Sequence, residues 1–233
     1  MPDSGYFLIA DVLGFGRIVQ NLPGAELDAR IRAWVDLVQS TADAFGIEKL
    51  QLISDTLFVS VPPTAANLAK LLGFSRQILT NGIEQSFPVR GAIVHGTSVW
   101  GSLTYGRAVI AAHELEQRQN WIGIACAAEL PGAERLWSID KLVCYPPPFK
   151  CARIRLHPVI SWPVPDAECL MRLVVRGGLT KKGDILAWDL GAKVNNTVLF
   201  RLYLDILRAG GSDPEKFHGL LPVHPIDSAL QGR

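Results

Sequence analysis

The sequence has no hydrophobic run long enough to cross a bilayer. Its longest apolar stretches, such as Trp121 to Ala128, fall far short of the roughly 20 residues a transmembrane helix requires. Met1-Pro2-Asp3-Ser4-Gly5 carries neither a basic run nor an apolar core, so no secretory signal is expected. Charge is sparse, at 19% of residues, and nearly balanced, with a formal net charge of +1. Such a chain offers no polycationic surface, which argues against nucleic acid as a partner. Cysteine is scarce too. Cys126, Cys144, Cys151 and Cys169 form no Cys-x-x-Cys pair, which argues against a zinc ribbon or a disulfide framework and fits reduced thiols in a cytoplasm. The five histidines are scattered without metal-ligand spacing.

What is present is apolar material for a core: 233 residues, 48% of them hydrophobic. Tyr6 to Ala10 is an unbroken apolar and aromatic run, the pattern of a buried strand. Asp11 ends it, and Gly14-Phe15-Gly16 follows as a turn. Ile31, Trp34, Val35, Val38 and Ala42 recur at three and four spacings, which predicts a helix over 27–45. Leu50 to Val61 reads as two strands broken at Ser54-Asp55, a hairpin with a carboxylate at its tip. Helices are expected over 65–86 and 108–118, and strands over 89–95 and 142–145. This order predicts an α+β, ferredoxin-like fold: an antiparallel sheet with helices packed on one face. Pro146-Pro147-Pro148 marks a candidate boundary. Residues 1–148 form the expected core. Residues 149–233 are an extension, with a helix over 195–208, packing on the core or serving as a dimer interface. The tail after Gly210 is expected to be irregular.

Two carboxylates stand out. Asp11, at a strand end before a glycine turn, fits either a cap for the following helix or a ligand for a divalent cation. Asp55 fits either an ordinary turn aspartate or a partner for Asp11. Carboxylates on adjacent strands could hold two cations about 3.5–4 Å apart, an arrangement suited to in-line displacement at phosphorus.

Four segments, in order, resemble motifs of the class III nucleotide cyclases. Tyr6 to Phe15 resembles the first metal motif. Gln51-Leu-Ile-Ser-Asp55 resembles the second. Val89-Arg-Gly-Ala-Ile-Val-His-Gly96 is similar to the family's Arg-x-Gly strand, and Tyr105 to Glu116 to its Gly-x-x-Val-Asn helix. The resemblance spans about residues 6–145. It implies a triphosphate cyclase with Asp11 and Asp55 as catalytic residues. It also implies two Mn²⁺ or Mg²⁺ ions held by Asp11, Val12 and Asp55, and a homodimer with sites at its seam. Gly14, Phe15, Gly16, Gln51, Leu103, Arg90 and Arg107 are the implied nucleotide contacts.

The departures are specific. Gln51 stands where adenylyl cyclases have lysine and guanylyl cyclases glutamate. Leu103, near the other base-reading position, is apolar. Ile110 and Glu114 stand where the family has Asn and Arg. The Gly-x-Ala-x-x-x-Ala-x-Glu-Leu-Glu pattern of Gly106 to Glu116 resembles the pyrimidine cyclases of bacterial Pycsar antiphage systems. This implies UTP as substrate, cyclic UMP as product and a separate cyclic-nucleotide-sensing effector. CTP, a purine triphosphate and a catalytically degenerate module are the alternatives. Arg17, Arg90 and Arg107 are the candidate cations for the triphosphate, with Lys49 a further one. Each fits a surface role equally, and His95 and His113 fit structural roles.

Overall fold

The computed structural model describes residues 3–151, 155–174 and 188–210. The chain begins with β1 (Asp3–Val12), a short α1 (Phe15–Asn21) and the long α2 (Gly24–Phe45). The hairpin β2 (Lys49–Ile53) and β3 (Thr56–Val61) precedes α3 (Ala65–Glu84), then β4 (Val89–Ser98) and α4 (Arg107–Arg118). After these come β5 (Gly123–Cys126), β6 (Leu142–Tyr145), β7 (His157–Ile160), α5 (Ala167–Val174) and α6 (Trp188–Ala209).

The seven strands form one sheet in the order β2-β3-β1-β4-β5-β7-β6. β1 lies at its centre, antiparallel to both β3 and β4. The sheet is mixed rather than purely antiparallel, because β4 and β5 run parallel. Parallel neighbours need a crossover, and α4 supplies it. That crossover also corrects the expectation that helices occupy a single face. Alternation along β1 divides its side chains. Tyr6, Leu8, Ala10 and Val12 join the main core with Trp34 of α2 and Leu68, Leu71 and Phe74 of α3. Phe7 and Ile9 join a second cluster with Ala108 and Ala112 of α4. Helices therefore cover both faces, and α4 defines the opposite one.

Helix starts and stops follow local chemistry. Thr64 caps α3, its side chain accepting a hydrogen bond from the Asn67 amide at 3.2 Å. Gly46, in the left-handed region at φ 62°, ends α2.

The proline run does not separate two cores. β7 lies beyond it and sits in the sheet between β5 and β6. Leu190, Val194, Phe200, Leu204 and Leu207 of α6 belong to the main core. Thr197 Oγ1 accepts from the Ile122 amide at 2.9 Å, and Tyr203 donates to the Cys144 carbonyl at 2.5 Å. α6 begins earlier than the expected helix, at Trp188. The tail after Gly210 lies outside the described residues.

Candidate active site

The site is built where β1, the β2–β3 turn and α4 meet. Asp11 is the last-but-one residue of β1, on the face that carries Phe7 and Ile9. Asp55 stands at the hairpin tip, after Ser54, whose φ of 58° makes the sharp reversal. Register sets Ala10 against Leu57 on β3, so the turn projects past the end of that pairing beside Asp11. Thr56 Oγ1 donates to Asp11 Oδ1 at 3.2 Å, and Ser54 Oγ donates to Asp55 Oδ1 at 3.0 Å. The structure thus brings together two carboxylates separated by 43 intervening positions in sequence.

Their proximity has an electrostatic signature. The Asp11 carboxyl is pushed up to about 7, first by burial, then by the charge of Asp55 and a hydrogen bond with that side chain. Glu116 adds to the rise and Arg90 opposes it. Two carboxylates this close cannot both ionise cheaply without a counterion. A divalent cation meets that need with hard oxygen ligands. Among the described residues no group of three or more His, Cys, Asp or Glu side chains stands ready for a metal. A pair of aspartates is nonetheless what magnesium uses when phosphates and water complete its shell. The donor set therefore fits the implied cations. The Val12 side chain is buried in the main core, so any contact from that residue is through its backbone.

Gln51 lies on β2 opposite Phe58, which packs with the α4-side cluster. It therefore opens on the same face as Asp11. Both ends of its amide are engaged. Nε2 donates to the Gly101 carbonyl at 2.7 Å, and Oε1 accepts from Thr104 Oγ1 at 2.7 Å. The carbonyl of Gly101 can only accept, which fixes the amide's orientation and makes Thr104 the donor in its bond. Gln51 thus ties down the loop between β4 and α4, closed at its base by the Val99–Tyr105 bridge. Leu103, on that loop, is 70% exposed.

The expected cations separate into groups. Arg107, first residue of α4, is exposed, and Arg17 is half-buried on α1. Lys49 pairs with Asp3 at 3.1 Å. Arg90 is only 5% exposed. It forms a buried ion pair with Glu116, and its Nη1 donates to the Gln119 carbonyl at 3.2 Å. The expectation that Arg90 is free for a triphosphate is corrected here, because its guanidinium is already engaged. His95 packs edge-on against Tyr6, and His113 is exposed on α4. Glu114 pairs with Arg118 at 3.3 Å, while Ile110 is 62% exposed. Gly14, left-handed at φ 79°, begins α1, whose first residues are Phe15 and Gly16.

Sequence reasoning missed Thr56, Thr104 and Glu116. For Glu116 a signal existed. Ala108, Ala112 and Glu116 fall at four-residue intervals on the buried stripe of α4, so a carboxylate there needs a buried partner. Thr56 and Thr104 had no comparable signal, since a lone threonine in a turn is unremarked.

No protein-family model matches the sequence, and no curated protein matches it. Solved structures do. The adenylyl cyclase CyaB from P. aeruginosa is similar at 16% identity and a TM-score of 0.52, covering 69% of this chain and 95% of that one. A bacterial light-regulated adenylyl cyclase gives 14% identity and a TM-score of 0.55, covering 76% and 99%. The guanylate cyclase domain of RhGC from Catenaria anguillulae, in complex with GTP, gives 13% identity and a TM-score of 0.53, covering 68% and 96%. At these identities the likeness establishes the fold: a mixed seven-stranded sheet with helices packed on it, as in cyclase catalytic domains.

Proposed function

We propose that the chain is a nucleotide cyclase that converts a pyrimidine triphosphate, UTP in the first instance, to its 3′,5′-cyclic monophosphate and pyrophosphate. The observation that carries this reading is the juxtaposition of Asp11 and Asp55, within hydrogen-bonding reach on a fold shared with cyclase domains. The ribose 3′-oxygen attacks the α-phosphorus as the bond to the bridging oxygen breaks, and pyrophosphate leaves. Asp11, Asp55 and the Val12 backbone would hold Mn²⁺ or Mg²⁺. Bound cations supply acidification of the 3′-hydroxyl and neutralisation of the triphosphate. Thr56 and Ser54 orient the two carboxylates through their hydrogen bonds. Arg107, and Arg17 beside the Gly14 turn, are the cations this reading assigns to the phosphates.

Gln51 spends its amide on Gly101 and Thr104, so this position offers the base neither the lysine nor the glutamate that reads a purine, which supports a different base. The resemblance of the α4 motif to pyrimidine cyclases favours UTP, with CTP next. The same resemblance implies a role for the product in antiphage signalling through a separate effector. Leu103, Tyr105 and Ile110 are large exposed apolar side chains on the loop and helix that follow β4. They support self-association into a homodimer with sites at its seam.

A second reading has its own support. Glu114 is paired with Arg118, and Ile110 brings no polar group. That favours a module that binds nucleotide without turning it over. Incubating the purified chain separately with ATP, GTP, CTP and UTP in Mn²⁺, with products identified by mass, decides. A cyclic pyrimidine monophosphate is expected. A cyclic purine product would overturn the base assignment, and binding without product would favour the module.

A further inference from the structure

We propose that Glu116 is a positioning residue for the aspartate pair: it holds Arg90 off Asp11 and so keeps that carboxylate open to a divalent cation. This rests on reading Asp11 and Asp55 as cation ligands.

The strand register creates the problem that Glu116 solves. Asp11 on β1 and Arg90 on β4 are directly opposed. Opposed residues on antiparallel strands have Cβ atoms about 4.5–5.5 Å apart on one face. Arginine so placed forms close, often bidentate, bonds to a carboxylate. Such a bond would occupy Asp11 oxygens and set a fixed positive charge where a cation must sit. The structure shows Arg90 turned to another partner. Nε and Nη2 go to Glu116 Oε1, and Nη1 to the Gln119 carbonyl. Glu116 is 1% exposed and Arg90 5%, so neither charge is shared with solvent.

The helix explains how the carboxylate reaches that point. Ala108 and Ala112 let α4 lie close against β1 and β4, and Glu116 is the next residue on the same stripe. Gln119, which ends the helix, locks the arrangement. Its Nε2 donates to the Gly91 carbonyl at 2.8 Å, and its Oε1 accepts from Trp121 Nε1 at 2.7 Å. A buried ion pair adds little net stability over an apolar pair of equal volume. Its effect on the neighbouring aspartate accounts for it better than stability does.

The test is Mn²⁺ binding, followed by loss of the free-ion paramagnetic resonance signal, on the full chain without nucleotide. Wild type, Glu116→Asp, Glu116→Gln and the double variant Arg90→Met/Glu116→Gln are compared, with circular dichroism reporting the fold. Glu116→Gln releases Arg90 onto Asp11 and should weaken Mn²⁺ binding about tenfold, the lower end for outer partners of metal ligands. Glu116→Asp should fall between Glu116→Gln and wild type. Removing Arg90 as well should return binding to within about twofold of wild type, a coupling that a merely structural role would not produce. Should Glu116→Gln fail to fold, Glu116→Asp and the double variant carry the comparison. Wild-type affinity in Glu116→Asp or Glu116→Gln, or a double variant as weak as Glu116→Gln, overturns the inference alone. No Mn²⁺ binding by wild type overturns the cation reading beneath it.

Discussion

Asp11 lies near the end of β1, part-buried beside the carboxylate of Asp55. Burial and the neighbouring Asp55 raise its carboxyl to about 7, above the ordinary value of 3.8. A group whose folded-state pKa is raised contributes stability that is fully present below its unfolded pKa. That contribution is lost as pH rises through the folded value. The metal-free chain should therefore lose thermal stability between about pH 4 and 7 and level off above that, and Mn²⁺ should restore it most at the upper end. Asp11→Asn should flatten that slope, which a pH series of melting curves would detect; an unchanged slope would contradict the assigned cause. Gln51 gives a second prediction at this scale. Glu at position 51 sets a carboxylate against the Gly101 carbonyl in place of a donor, costing about 1 kcal/mol or more. Hydrogen exchange should then quicken in the 99–105 loop and not in α3.

At the scale of elements, the loop that leads into α4 depends on one glycine. Gly106 has φ 138°, and a Cβ there would meet the Thr97 carbonyl oxygen at 2.5 Å. Gly106→Ala should cost about 1–3 kcal/mol and open the Val99–Tyr105 bridge, measurable by denaturant unfolding. Periodicity made most elements legible, because amphipathic helices and buried strands carry their own spacing. It failed where neighbours decide. His157-Pro158-Val159-Ile160 is four residues long and contains a proline, yet it becomes β7 because β5 and β6 flank it. Which face α4 covers was equally hidden, since a crossover is a property of strand order. Asp11 and Asp55 were legible from their flanking strands. The Arg90–Glu116 pair was not, because 26 positions separate its members.

In the whole molecule, the sheet and α6 join the two sides of the Pro146-Pro147-Pro148 run. A chain cut after Pro148 would lose β7 from between β5 and β6, together with the α6 side chains of the core. It should not yield a folded, soluble protein, whereas the full chain should. Phe200, which meets Trp121 edge-on at 4.9 Å and is fully buried, makes the same point by substitution. Phe200→Ala should cost about 3–5 kcal/mol in a single cooperative transition. Among the described residues no helix is long and apolar enough to cross a membrane.

Asp11 and Asp55 are proposed as one centre that cyclises a nucleoside triphosphate. The direct measurement compares wild type, Asp11→Asn and Asp55→Asn, each given UTP and Mn²⁺, by the yield of cyclic UMP and pyrophosphate in equal amounts. Equimolar products are expected from wild type and a loss of about a thousandfold or more in each variant, with fold retained. Undiminished turnover in either variant would contradict that proposal.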